Sequence, residues 1–247
     1  MDGKEVKQMF ILRRTNWLVI AVVIAIALMA GSFDRALATS LTITNWNFEA
    51  DNPLANGTWA VPTITGWTKS GIAGTFYGEK ATNPDEYFST LSDLGRVAYT
   101  NVGSITQTLD PLTDPLNGLN AGHLYTLTVD VGNRYQNFTA GRGFPNYSIE
   151  LLAGGTPLSI DTVFLPTPNY GYFSTATLTY LSSDNNSLLG QALGIRLTSY
   201  GAQVNWDNVS LTNTNHIQTS VPEPATLLLL GSGLLGAAWF GKKKVKA

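Results

Sequence analysis

The sequence predicts an all-β domain, an antiparallel two-sheet sandwich, set between two membrane-directed ends. Three observations carry that prediction. Apolar residues in the middle of the chain alternate with polar ones, a period of two that suits half-buried strands and not helices. Gly, Pro and Asn turns separate these short runs, with no βαβ rhythm. Each end of the chain holds an apolar run flanked by Lys or Arg.

At the N-terminal end, Lys4, Lys7, Arg13 and Arg14 precede the run from Trp17 to Gly31, and Ala36-Leu37-Ala38 supplies small residues. This is the order of a secretory signal peptide over residues 1–38. Ala36 and Ala38 fit the shallow pockets of signal peptidase, and cleavage after Ala38 leaves Thr39 first. An uncleaved anchor is the alternative; in both cases the chain from Thr39 to Ser220 lies outside the cytoplasmic membrane.

That exported region contains six Lys and Arg against thirteen Asp and Glu, and the chain has no cysteine. Without disulfides or a thiol catalyst, an exported domain must be held by its core. About 180 residues remain between the targeting ends, enough for one domain. The acidic balance, with no basic stripe, excludes nucleic acid as a partner.

Strands are predicted at Leu41–Phe48, Arg96–Thr100, Ile105–Leu109, His123–Val131, Ile149–Leu151, Leu158–Phe164, Phe173–Leu181, Leu193–Ser199 and Val204–Leu211. In His123–Val131 the residues Tyr125, Leu127, Val129 and Val131 share one face. Ala176, Leu178 and Tyr180 do the same, as do Leu193, Ile195 and Leu197. Asp207 alternates in phase with Val209 and Leu211 and is expected to point inward with them. The Gly-rich stretch from Ala50 to Leu94 reads as an irregular loop region, the kind of place where a rigid scaffold carries function.

The last 27 residues begin Val221-Pro222-Glu223-Pro224-Ala225-Thr226. Pro222 and Pro224 lack a backbone donor and hold the segment extended, which suits a segment to be cut. From Ala225 to Phe240 there is no charge; as a helix this run is about 24 Å long, short of a hydrocarbon core of about 30 Å. Lys242, Lys243, Lys244 and Lys246 can snorkel to cover the shortfall and place the C-terminus in the cytoplasm.

These three ordered parts closely resemble the PEP-CTERM sorting signal of exported bacterial proteins. The resemblance implies recognition by exosortase, with cutting near Val221, Pro222, Glu223 and Pro224. It also implies a single-pass precursor in the cytoplasmic membrane, then a product at the cell surface or in the exopolysaccharide matrix.

A second resemblance covers most of Thr39–Asn213. It is carried by Asn45-Trp46-Asn47-Phe48-Glu49, Gly66-Trp67, Gly103 to Leu109, Ala121 to Leu127, and Trp206-Asp207-Asn208-Val209, which look like the galactose-binding-domain-like jelly rolls found ahead of such signals. It implies a jelly roll over residues 39–213, followed by a linker over 214–220. It also implies a structural Ca²⁺ joining the first and last strands. Asn47, Glu49 and Asp207 could supply oxygens for it, although carboxylates at strand ends also serve by accepting backbone N–H groups. Sugar-binding candidates are Arg134 with Tyr135, and Arg142 with Phe144, which join planar, hydrogen-bonding and aromatic groups in one Gly-rich loop, and Trp67. His123 and His216 have no acid or nucleophile at readable spacing, and no catalytic motif is present. The expected function is therefore non-catalytic: a tethered structural or binding protein of the polysaccharide matrix, the alternatives being a carbohydrate-binding module and a glycan hydrolase.

Overall fold

Alternation becomes pairing in the computed structural model, which describes residues 37–51, 59–60, 63–78, 87–91, 95–135, 141, 143–216 and 231. The chain divides into two compact units, Met1–Leu37 and Ala38–Ala247, and the second is the one described here. Ala36 and the rest of the predicted signal peptide before it, Arg142, the Val221–Pro224 motif and, apart from Gly231, the C-terminal apolar run lie outside the described residues.

The strands are β1 (Ala38–Ser40), β2 (Trp59–Ala60), β3 (Thr68–Tyr77), β4 (Arg96–Thr108), β5 (His123–Asn133), β6 (Tyr147–Ala153), β7 (Thr156–Pro157), β8 (Thr162–Phe164), β9 (Tyr172–Leu181), β10 (Leu193–Ser199) and β11 (Val204–Asn215). Every pairing among them is antiparallel, as expected. The two separate sheets of a jelly roll are not what forms. Hydrogen bonds run unbroken along β7-β6-β10-β4-β11-β5-β9-β8, with β1 added to β11 and β2-β3 added to β4, so the domain is one curled sheet.

The curl is made in β4. Its first half pairs with β11 through Ala98, Tyr99 and Thr100, and its second half pairs with β10 from Gly103 to Thr108. β3 follows the other edge along nearly the whole length, shifting register between Gly71 and Ile72. At the change of partner Val102 has φ 44°, and its N–H donates to Gly201 O at 3.0 Å. Gly71, at φ 74°, stands opposite Gly103. A Cβ on Gly71 would lie 2.6 Å from Val102 O, and one on Gly103 would lie 2.4 Å from Ser70 O. Two bare backbones are what allow both strands to bend together.

The bend lays one arm over the other and encloses the core. Tyr125, Leu127, Leu178 and Trp206 come from one arm and Leu151, Ile195 and Leu197 from the other, all fully buried. Each aliphatic side chain buried this way contributes about 1.5–3 kcal/mol. The N-terminal segment is fastened by an amide that mimics a strand: Gln107 accepts from Thr44 N–H at 2.8 Å and donates to Thr44 O at 2.9 Å.

Several predicted elements change. Leu41–Phe48 is not a strand, although Leu41 N–H still donates to Leu211 O at 2.9 Å; positive φ at Asn45 and Phe48 turns the chain instead. The predicted loop region contains the ten-residue β3, whose glycines obscure the alternation because they mark a bend inside a strand. Arg96–Thr100 and Ile105–Leu109 are one bent strand, and Leu158–Phe164 yields only the short β8.

Gly103→Ala tests the bend. Relieving a backbone clash of this kind costs about 1–3 kcal/mol, so the variant should melt several degrees below wild type. Gly143→Ala, where an added Cβ meets nothing within 4 Å, should melt unchanged.

Candidate functional site

The face of the arm β4-β11-β5-β9 turned away from the core gathers the reactive groups, and strand register fixes which they are. On β11, Asn205 lies opposite Tyr99 of β4 and Gly132 of β5. Two residues further on, Asp207 lies opposite Asp130, which in turn lies opposite Thr175 of β9. Residues opposite one another share a face and have Cβ atoms about 4.5–5.5 Å apart.

At one end this face is aromatic. Phe76, Tyr87, Phe88, Val97 and Tyr99 form a second buried cluster with Phe173 against it. Ring centroids are 4.4 Å apart for Phe88 and Phe173, and 6.1 Å apart for Phe76 and Tyr99 in an edge arrangement. Phe173 lies close on the sheet because its cross-strand partner is glycine: a Cβ on Gly132 would fall 2.5 Å from the ring.

Beside the aromatics, β11 bulges between Asp207 and Ser210. Asn208 supplies the extra residue, at φ 46°. The bulge reverses the alternation, so Trp206, Val209 and Leu211 all enter the core while Asp207 takes the other face. The phase predicted for Asp207 is corrected by that one inserted residue. Asp207 is still fully buried, at 0% exposure.

Asn208 holds two carboxyl groups together. Its N–H donates to Asp207 Oδ1 at 2.8 Å, and its Nδ2 donates to Asp130 Oδ2 at 3.1 Å. The Thr175 hydroxyl donates to Asp130 Oδ1 at 2.7 Å. Next to them Asn205 is fully buried; its Oδ1 accepts from Gln203 Nε2 at 3.4 Å, while its Nδ2 has no partner. Burial raises the Tyr99 phenol above its ordinary pKa and the Arg134 charge draws it partly back, so Tyr99 stays a hydrogen-bond donor at neutral pH.

Two predicted binding residues adjoin this face. Arg134 acts on Tyr99, and Tyr135 N–H donates to Tyr87 O at 3.0 Å. The others do not. Trp67 is buried in the core, 5.5 Å from Phe48, with Nε1 donating to Thr44 O at 3.2 Å. Phe144 packs edge-on against Tyr147, 5.6 Å away, also on the core side.

Of the three calcium candidates, Glu49 accepts from Arg96 N–H at 2.6 Å, and Asn47 Oδ1 accepts from Glu49 N–H at 3.5 Å. Val209 N–H donates to Trp46 O at 2.9 Å, which brings their turn beside the Asp207 bulge. Among the described residues no three His, Asp or Glu side chains are grouped to hold a metal. Sequence reasoning missed Tyr99, Asp130, Phe173 and Asn208. The available signal was Trp206, an apolar residue out of phase with Val209 and Leu211, followed by Asn208, a residue type that tolerates the left-handed backbone.

Comparison with known proteins bears on this arrangement. A family model described as HpiC1-like, HpiC1 cyclase, matches residues 39–212, and the PEP-CTERM protein-sorting motif matches residues 220–244. The chain is similar to the crystal structure of a Stig cyclase, Fisc, from Fischerella sp. TAU in complex with (3Z)-3-(1-methyl-2-pyrrolidinylidene)-3H-indole: 27% identity, TM-score 0.57, covering 72% of this chain and 98% of that one. An apo form cyclase from Fischerella sp. gives 27% identity and TM-score 0.58 over 72% of this chain and 97% of that one. A cyclase from Fischerella sp. TAU in complex with 4-(1H-indol-3-yl)butan-2-one gives 28% and 0.55 over 71% and 97%. Carbohydrate-binding modules are distant neighbours, at TM-score 0.34 for a CBM4 structure. No curated protein matches the chain.

The sorting motif marks an exported, exosortase-sorted surface protein, as expected. The galactose-binding resemblance gives way to the cyclase family over the same residues. The expectation of a non-catalytic domain is overturned, because the matched family and the similar structures are those of enzymes.

The bulge is open to test through Asn208. Asn208→Gly keeps the left-handed backbone, whereas Asn208→Val adds strain of about 1–3 kcal/mol. Thermal unfolding should place the Val variant several degrees below the Gly variant, and equal melting would remove the left-handed residue from the account.

Proposed function

The chain belongs to the HpiC1-like family, the family of HpiC1 cyclase, and on that footing we propose that its exported domain is a cyclase. The substrate class is an indole bearing an unsaturated side chain, and Asp207 is the proton donor. The observation that carries this reading is the fully buried Asp207, turned by the Asn208 bulge onto the face that holds Tyr99, Phe173 and Phe88.

Acid-initiated ring closure needs what that face offers. A carboxylic acid delivers its proton to one carbon of the side-chain alkene, the π electrons forming the new C–H bond and leaving a cation on the other carbon. An indole π bond attacks that cation and closes the ring, and loss of a proton to the carboxylate restores the aromatic system. No oxidant or second reactant is required, and the product is an isomer of the substrate. Aromatic faces favour the intermediate cation by cation–π attraction, and a site without water spares it from capture. Asp130, tied to Asp207 through Asn208, fixes the acid's position, and the unpartnered Asn205 Nδ2 can meet a polar group of the substrate. The similarity to cyclases crystallised with indole ligands supports the substrate class.

The test uses the full chain in detergent with a 3-alkenylindole. The expected product has the mass of the substrate, and in D₂O it carries one deuterium. Asp207→Asn should lower turnover by about a hundredfold or more, in line with loss of a positioned acid, while still binding the pyrrolidinylidene indole. Turnover unchanged by Asp207→Asn would overturn the assignment.

Calcium at Asn47, Glu49 and Asp207 is a rival use of the same carboxyl, since a metal-bound carboxylate cannot donate a proton. On the acid reading, a chelator leaves the melting temperature of the full chain unchanged. Loss of several degrees, restored by Ca²⁺ in wild type and not in Asp207→Asn, would assign the residue to the metal.

A further inference from the structure

Beyond the acid, the same outer face continues in rows of residues that the proposed reaction does not use. One row of cross-strand partners runs Ser40, Thr212, Thr126, Thr179, Thr162 through β1, β11, β5, β9 and β8. Every member bears a hydroxyl. Beside it runs Ser210, Thr128, Thr177. The β-propensity of Thr explains why these residues form strands. It does not explain why no Lys or Glu, the usual solvating residues of an open sheet face, enters either row.

At the β1 end the first row opens into a cavity of about 530 Å³ lined by Ser40, Thr42, Trp46, Asn208 and Ser210 among others, none of them charged. Trp46 is the one tryptophan among the described side chains that is exposed, at 48%; Trp67 and Trp206 are buried. Its carbonyl accepts the Val209 N–H, so the ring is carried on a turn pinned to the bulge.

From this geometry we infer that the Trp46 cavity and the hydroxyl rows form a binding site for a neutral glycan chain. An exposed indole offers a flat apolar face to the C–H side of a pyranose ring, and hydroxyl and amide groups, each able to donate and accept, match sugar hydroxyls. The lack of charge in the lining favours a neutral over an anionic polymer. Successive strands stand about 4.8 Å apart, close to the length of one pyranose unit, so a glycan lying across β1, β11, β5, β9 and β8 meets one hydroxyl per sugar. The sorting motif places the domain outside the cell, where such polymers are found. The site stands apart from the aromatic cluster and holds whether or not the domain is a cyclase.

The experiment is calorimetric titration of the full chain, in a detergent without a sugar headgroup, with a panel of neutral hexasaccharides and with polygalacturonate. Binding of a neutral member and not of polygalacturonate is expected. Trp46→Ala should weaken it by about tenfold or more, as removal of an aromatic anchor does, and Trp46→Phe should restore part of it. If Trp46→Ala melts early, the milder pair Thr126→Val and Thr212→Val takes its place and should also weaken binding. No binding by any neutral hexasaccharide, stronger binding of polygalacturonate, or equal binding by well-folded Trp46 and threonine variants would overturn the inference. Displacement of the bound glycan by the pyrrolidinylidene indole would likewise overturn it, since the groove would then belong to the catalytic site.

Discussion

The close approach of two bare backbones, Gly71 of β3 and Gly103 of β4, is the constraint on which the rest of the domain depends. Each lies within about 3 Å of the other strand's backbone wherever a Cβ would stand, and a side chain there would hold the two strands apart. With both side chains missing, β4 can leave β11 and continue along β10 while β3 bends beside it. A single sheet thereby supplies both walls of a core, a task for which a sandwich needs two sheets. A chain without cysteine must rely on that enclosed apolar surface for its stability.

Local departures from ideal strand geometry then decide which chemistry reaches which face. Because the side-chain period is two, one inserted residue exchanges the faces for everything beyond it. In β11 the exchange comes after Asp207, so the strand supplies Trp206 to the core from one side of the bulge and Val209 and Leu211 from the other. The carboxyl that an unbroken alternation would have driven among aliphatic side chains instead meets Asn208 and Asp130. A charge or acid in an apolar core is costly unless paired; here the bulge avoids that cost by giving the carboxyl the Asn208 N–H as a donor.

Much of the fold could be read in the chain, and the parts that could not share a cause. Period two identified β5, β9 and β10 nearly to the residue and β11 four residues short of its end, because each of these strands buries one face against the core. β3 escaped notice because its first five residues are all exposed and its glycines, which mark turns in most contexts, here serve a bend. The C-terminal motif was legible because its meaning lies in the order of the sequence. The candidate site was not. Tyr99, Asp130, Phe173 and Asp207 come from four strands, and only the register of β4, β11, β5 and β9 assembles them. Arg134 and Tyr135 were legible as a loop that joins charge to an aromatic ring, but the ring that Arg134 influences, Tyr99, lies far away in sequence. Trp67, one of the sugar-binding candidates, fills the core and gives its N–H to Thr44 O.

A single outer face therefore carries two kinds of surface, and the Asn208 bulge divides them. On one side, glycine at position 132 lets Phe173 settle onto the sheet, and the aromatic cluster dries the surface around Tyr99 and Asn205. On the other, the strands return to regular pairing, and Thr and Ser stand partner to partner across five of them. The dry half suits reactive carbon, because a cation formed there meets rings before water. The hydroxyl half suits a ligand that keeps its hydration shell until many weak hydrogen bonds replace it together. Both halves rest on the same rigid core, so neither needs the other's ligand to be ordered. Asn208 is the one residue that belongs to both, its amide held by Asp130 on one side and its edge lining the Trp46 cavity on the other.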